Sequence, residues 1–573
     1  MHDLVIRGGT VVDGTGREGF VADVAVDGGV IVAVGGDVGP GKREFDAKGL
    51  LVTPGFVDMH THYDGQVTWD PYLSPSSWHG VTTVVMGNCG VGFAPARPDK
   101  HDWLIGLMEG VEDIPGAALA EGIKWGWESF PEYLDTIEQG DHVIDFGTQM
   151  PHGSLRAYVM GERGTDNQEA TPEDIEEMAR LTAEAIEAGA LGFSTSRTML
   201  HKTIDGIPMP GTFASRDELF GIGRALGKLG KGVFQGAVEH LKVPEEIEWM
   251  RVLADEIQRP VMFNLSQIDW APEMWKGLVG QLEDAAEAGT SLYAQVAGRA
   301  IGIMMSWQVT AHPFAMHPSW TALEGLSWEE KRQHLRDPAF KARILSEKPP
   351  ELPAFETFVT SAFDKMFPLG DKVDYEPDPA VSAYATAKAS GRTPQEVCWD
   401  MLAEHDFEGF IYFPLFNYAD GNLEMLHTLH QHPRTLMGLS DGGAHCGAIC
   451  DGGMPTFMLT HWTRDRTRGG KIALEAIVKR QTHDTARMYG LNDRGVLAPG
   501  FKADVNIIDY DNLSFGRPRV AYDLPAGGRR LVQRASGYVA TIKAGQVIYE
   551  NGEATGAMPG KLIRGAQPAP IEG

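Results

Sequence analysis

The stretch PGFVDMHTHYD, Pro54 to Asp64, places His60 and His62 two residues apart at the end of an apolar run. Two neutral imidazoles on one side of a strand suit Zn²⁺ or another divalent cation. Spacing alone is weak evidence. With 19 histidines in 573 residues, chance supplies an H-x-H pair in roughly one such chain out of two. His430 and His432 form another pair, in a polar, helix-like stretch. What distinguishes the first pair is its company. Cys89 ends the run VVMGNCG, and a metal-bound thiol is deprotonated and becomes a strong ligand. Asp441 ends MGLSDGGAH, where a carboxylate can bind metal and serve as general base toward water. His445, four residues on, could bind substrate or move a proton.

Each of these residues closes a short apolar run, and such runs recur. They are FVDMHTH, VTTVVMGNCG, HVIDFGTQMPH, LGFSTSR, GVFQGAVEH, PVMFNLSQ, SLYAQVAG and LMGLSDGGAH, separated by helical patterns. One helix is well marked: Thr171 caps it, Pro172 opens it with acids in its first turn, and Gly189 closes it. Eight apolar runs alternating with helices predict an α/β fold, a (β/α)₈ TIM-like barrel. In a barrel, residues i and i+2 of a strand share a side, and chemistry gathers at the C-terminal mouth. The eighth strand neighbours the first, so Asp441 can face His60 and His62. An open doubly wound sheet is the alternative, but no G-x-G-x-x-G opening is present.

Residues 1–53 and 497–555 read differently, as short alternating strands with Gly turns. They predict one small β-sandwich domain formed by both termini, around a barrel at 54–496. The tail at 556–573 is rich in Pro and Gly and is expected to be poorly ordered. A connection at about 300–432 is too long for an ordinary βα loop. It carries Trp307, Pro313, Phe314, Met316, Trp320 and Trp328. It is a candidate lid, with an oligomer-forming subdomain the alternative.

The net charge of −28 makes nucleic acid and anionic membrane surfaces poor partners. No leader-like segment opens the chain, and no apolar run approaches the ~20 residues of a spanning helix. Cys89, Cys398, Cys446 and Cys450 form no disulfide framework for this length. The expectation is a soluble cytoplasmic protein with reduced thiols, acting on a small molecule, with homo-oligomers left open. A G-x-S-x-G elbow and a P-loop are both absent.

Together PGFVDMHTHYD, GVTTVVMGNCG, GALGFSTSR, MGLSDGG and RGVLAPGFKADVNIIDYD (Arg494 to Asp511) resemble the amidohydrolase superfamily. Within it they resemble the N-acyl-D-amino-acid deacylase (D-aminoacylase) group. The resemblance spans the chain outside the long insertion. It implies a metal-dependent barrel beside a small β domain, with His60, His62, Cys89 and Asp441 as metal ligands and Asp441 also the general base. It implies hydrolysis of the C–N amide bond of an N-acyl amino acid or similar small N-acyl compound. The aromatic insertion favours an apolar acyl group or side chain. The group also carries ligating histidines after strands five and six, in T-H-x-R and S-H-H-K settings. Here those places read GVFQGAVEHL and MFNLSQID, with Ala237 at the first and Leu265 or Ser266 at the second. Glu239 and His240 lie nearby but shifted, Gln267 is a poor metal ligand, and Lys202 lies past strand four. The expectation is therefore one ion, Zn²⁺ or another divalent metal, with two ions the alternative. The lysine associated with the substrate carboxylate is missing too. Arg197 after strand four and Arg299 after strand seven are the candidate replacements, as bidentate partners. Two other functions compete: hydrolysis of a cyclic amide, carbamate or lactone, and a non-catalytic binding barrel.

Overall fold

The computed structural model describes residues 1–571. Its centre is a parallel barrel whose strands are Phe56–Asp58, Val81–Met86, Asp145–Thr148 continuing at Met150–Pro151, Gly192–Ser196, Val233–Ala237, Val261–Asn264, Leu292–Ala297 and Thr435–Gly438. We refer to these as barrel strands one to eight. Every neighbouring pair is parallel and consecutive in the chain, apart from the insertion between strands seven and eight. The ring closes where the chain beyond strand eight meets the chain beyond strand one. Thr61 bridges Gly442 in parallel, and the His62 amide donates to the Gly442 carbonyl at 2.8 Å. Helices cover one face of the strands and barrel side chains fill the other, so Val81–Met86 is buried throughout. That double burial is why the strands read as continuous apolar runs.

The helix Pro172–Ala188 shows how local sequence fixes an element. Thr171 and Asp174 form a reciprocal capping box, and Gly189 ends the helix at φ 123°.

A nine-stranded sheet contains strands from both chain ends. Val505–Ile508 pairs antiparallel with Leu51–Pro54, which leads through Gly55 into barrel strand one. Leu4, Ile6, Val24, Val52, Val505, Ile507 and Ile542 form its apolar core. The sheet is tied to the barrel by buried charge: Asp145, opening strand three, lies 2.7 Å from Arg494, 2.8 Å from Lys502 and 2.9 Å from Lys543. A hairpin at Arg519–Leu524 and Gly528–Val532 leaves this region and reaches the barrel mouth. There the Leu531 amide donates to the Cys446 carbonyl at 2.7 Å.

The tail departs from its expected disorder. Gly560 bridges His142, Leu562 bridges Phe146 and Gln567 bridges Leu491. Leu562 and Ile563 are buried, so two apolar residues within a Pro/Gly-rich stretch anchor it beneath the barrel.

The insertion has a small antiparallel sheet of Gly302–Met305, Phe367–Pro368 and Ile411–Pro414, with helices around it. Trp307 packs with Phe314, Trp320 and Trp399 at centroid distances of 5.4, 4.9 and 5.1 Å. These aromatic residues build the insertion's own core. Glu376 holds the insertion to the helical segment after strand eight through Arg466, at 3.0 Å, and His461, at 2.9 Å.

Candidate metal centre

His60 and His62 follow barrel strand one, and both are buried. Alternation along the extended chain turns their rings to the same side, with centroids 5.3 Å apart. Nε2 of His60 lies 3.4 Å from Oδ1 of Asp441 and 3.3 Å from Sγ of Cys89. Nε2 of His62 lies 3.7 Å from the same Asp441 oxygen. One ligand atom each of His60, His62 and Cys89 fall within 4.8 Å of one another. Strands one and two thus bring two nitrogens and a sulfur together, and the chain after strand eight adds an Asp441 oxygen beside both imidazoles.

The backbone is strained where it presents these groups. Cys89, Asp441 and His445 have φ of 54°, 49° and 50°, a left-handed conformation costing roughly 1–3 kcal/mol for a non-glycine residue. Behind Asp441, Gly442 and Gly443 lie against Tyr63. A Cβ at Gly442 would come within 2.5 Å of Ser76 Oγ, and one at Gly443 within 2.7 Å of Tyr63 Cδ1. The SDGG sequence is what lets the loop close over strand one.

Neighbouring groups orient the imidazoles. Nδ1 of His60 donates to Oε1 of Gln295 at 2.5 Å, which leaves the Nε2 lone pair facing Asp441 and Cys89. Nδ1 of His62 lies 3.2 Å from Oε1 of Glu112. Burial pushes His60 down to about 4, so it is neutral near pH 7. Burial works against the Asp441 anion, but the hydrogen bond from His62 and the fields of His60 and His62 hold it well below the usual carboxylate range. Burial pushes the Cys89 thiol up to about 11. Burial works against a charged His62 too, but the field of Glu112 and the hydrogen bonds with Asp441 and Cys89 raise it well above the ordinary histidine value. A convergent set of two imidazoles, one carboxylate and one thiol, all buried or nearly so, fits a borderline divalent cation such as Zn²⁺, whose binding would displace the proton on Nε2 of His62.

Strands five and six bring no charged ligand to this point. Ala237 ends strand five, and Leu265 and Ser266 follow strand six. The shifted residues have other partners. Glu239 accepts the Met199 amide at 2.7 Å, His240 packs on Phe416 at 4.6 Å, and Gln267 donates to Asp420 at 2.8 Å. Lys202 is exposed. Amides fill the barrel interior instead. Gln235 accepts the Cys89 amide at 3.0 Å and donates to Asn264 at 3.1 Å, while Gln149 donates to Asn88 at 2.9 Å. These uncharged groups fix the position of Cys89 without adding charge.

Neither candidate arginine is free for a substrate carboxylate. Arg197 lies 3.1 Å from Glu246 and donates to the Ala214 carbonyl at 2.6 Å. Arg299 is buried, 2.7 Å from Asp451, and its guanidinium stacks 3.4 Å from the Tyr375 ring centroid. A buried guanidinium requires a counter-charge, and Asp451 supplies it. His445 does join the site, with Nε2 3.4 Å from Oε2 of Glu112. The other pair behaves differently, since His430 is buried and its Nδ1 accepts from Arg480 at 3.1 Å.

Three residues of this neighbourhood carry no signal in a local motif. Glu112 ends the helix His101–Glu112, Gln295 sits within strand seven, and His201 follows strand four, its Nδ1 2.8 Å from Ser196 Oγ. Burial pushes His201 down to about 3, with the nearby His445 and His62 adding to it. A lone Gln within the apolar run SLYAQVAG is the one hint the sequence offers.

The profile described as "Amidohydrolase family" matches residues 43–549. A D-aminoacylase of Alcaligenes xylosoxydans xylosoxydans is 26% identical over 573 residues, covering 98% of this chain and 97% of the relative. An uncharacterized protein of Mycobacterium tuberculosis is 28% identical, over 96% of this chain and 92% of its own length. Among solved structures, a D-aminoacylase superposes with a TM-score of 0.66 at 22% identity, covering 98% of this chain and all of that one. An N-acyl-D-glutamate deacylase from Bordetella bronchiseptica, complexed with zinc and a phosphonate inhibitor, gives 0.65 at 22% identity, covering 98% of this chain and 99% of that one.

Proposed function

Because the chain belongs to the amidohydrolase family, we propose that it is a metal-dependent hydrolase cleaving the C–N amide bond of N-acyl amino acids. His60, His62, Cys89 and Asp441 would hold one divalent cation. The observation that carries this reading is the convergence of those side chains, with Nε2 of His60 within 3.4 Å of both Cys89 and Asp441. Relatives along almost the whole chain support the substrate class, a D-aminoacylase and an N-acyl-D-aspartate deacylase among them.

When bound, such a cation supplies Lewis-acid polarisation of the amide carbonyl and a lowered pKa for water. The chain's own residues do the rest. Asp441, an anion at the rim of the barrel, takes a proton from the attacking water and returns it to the departing nitrogen. Gln295 keeps Nε2 of His60 free of its proton, and the buried surroundings exclude competing water.

The loops beyond strands four, five and six bear on the acyl group. Met199, Ile204, Phe213, Leu241 and Trp270 occupy them, each with 42–61% of its surface exposed. With Trp307 and Trp399 buried inside the insertion, these exposed loop residues are the apolar surface that would favour an apolar acyl group.

The test is release of free amine from a panel of N-acyl D- and L-amino acids with short and long acyl chains, before and after metal stripping. Metal-dependent turnover of at least one class is expected. No turnover across the panel with metal bound rejects the substrate class, and extending the panel to cyclic amides, carbamates and lactones then tests the alternative bond.

A further inference from the structure

Glu112 is a buried carboxylate at the last position of the helix His101–Glu112. Both features are locally unfavourable. The C-terminal end of a helix carries partial negative charge, which disfavours an acid there. A buried carboxylate without a partner costs several kcal/mol. Residues that break local rules without local compensation tend to serve a site.

Its two oxygens face two histidines. Oε1 lies 3.2 Å from Nδ1 of His62, and Oε2 lies 3.4 Å from Nε2 of His445. Nδ1 of His62 and Oε2 of Glu112 are both buried atoms with no aligned hydrogen-bond partner. The helix stops here because Asp113 turns left-handed at φ 50°, which ends it with Glu112 between strand one and the loop after strand eight.

We propose that Glu112 is a positioning residue with two tasks, resting on the metal-dependent reading above. Oε1 accepts the hydrogen bond from Nδ1–H of His62, so that Nε2 is the nitrogen that gives up its proton and offers a lone pair to a cation beside Asp441 and Cys89. Oε2 accepts a hydrogen bond from Nε2–H of His445 and fixes that ring at the edge of the site. His60 has the neutral amide of Gln295 behind it, whereas His62 has an anion, so the two ligands receive unequal support. A carboxylate behind a ligating imidazole raises its basicity and holds its tautomer, and losing such a partner typically lowers metal affinity about 10–100-fold.

The experiment measures zinc affinity of wild type, E112Q, E112A and H445A by competition with a chromophoric chelator, with cobalt(II) absorption as a second readout. E112A is expected to bind zinc about 10–100-fold more weakly and to show an altered cobalt spectrum. E112Q, which keeps one acceptor oxygen, falls between E112A and wild type. H445A, which removes no ligand, stays within about twofold of wild type in affinity. E112A binding zinc within about twofold of wild type overturns the inference, and if E112A does not fold, E112Q decides by the same criterion. Wild-type protein that takes up no zinc overturns the metal reading and this inference together. Unchanged binding in the variants of a zinc-binding wild type overturns this inference alone.

Discussion

His60 and Asp441 lie 381 positions apart in the chain, yet Nε2 of one stands 3.4 Å from Oδ1 of the other. The contact joins the ends of barrel strands one and eight, so it exists only when the ring is closed. The same closure bonds the Asp441 amide to the His60 carbonyl at 3.2 Å. The site therefore requires a closed barrel. A variant that opens this seam should lose metal binding and cooperative folding together.

Replacing Asp441 with Asn keeps the shape and removes the proposed proton acceptor. Turnover on the best N-acyl amino acid should fall about 10²–10⁴-fold, as for loss of a general base. Steady-state kinetics of D441N with metal supplied in excess would check this. Turnover within tenfold of wild type would place the base elsewhere.

Gln295 orients His60 by one hydrogen bond. Q295L leaves Nδ1 of His60 without its acceptor and lets the ring change tautomer. Metal affinity is expected to drop about 10–100-fold with the fold intact. Chelator competition alongside thermal melting separates the two effects.

Arg299 is a structural residue, buried against Asp451 and Tyr375. R299A strands the buried carboxylate of Asp451, at a cost of about 3–5 kcal/mol. R299M, which fills similar volume, combined with D451N should recover much of that loss. If R299A instead raised KM selectively for substrates bearing a carboxylate, at unchanged stability, the arginine would be a substrate partner after all.

Glu376 gives a pH signature. Burial works against its anion, but hydrogen bonds from His461 and Arg466 hold its carboxyl down, at about 2. A folded pKa below the unfolded value, ordinarily about 4.3, contributes stability above that value, lost as pH falls through about 2. The contribution is on the order of 3 kcal/mol at neutral pH. Urea midpoints should show E376Q clearly less stable than wild type at pH 7, with the gap narrowing toward pH 3. A gap independent of pH would contradict the assignment.

The barrel is legible in the sequence because double burial leaves continuous apolar runs, and the first, second and last of them end in residues with chemistry. Cys89 and Asp441 stand out for that reason, beside the His60–His62 pair. The arginines mislead, since position after a strand does not reveal an acid elsewhere in the chain, and Glu246 and Asp451 are their partners. Glu112 is invisible because it reads as one more acid in GVEDIP; only the approach of the helix end to strand one gives it a role. For the tail, composition points to disorder, whereas the buried Leu562 and Ile563 decide its placement.

The most direct test is metal content per chain, by elemental analysis of protein purified with zinc and then desalted. It compares wild type with H60A, H62A, C89A and D441A. About one ion per wild-type chain and a marked loss in each variant that remains folded are expected of a single site held by these four residues. Wild-type protein without metal, two ions per chain, or full occupancy in the variants would contradict it.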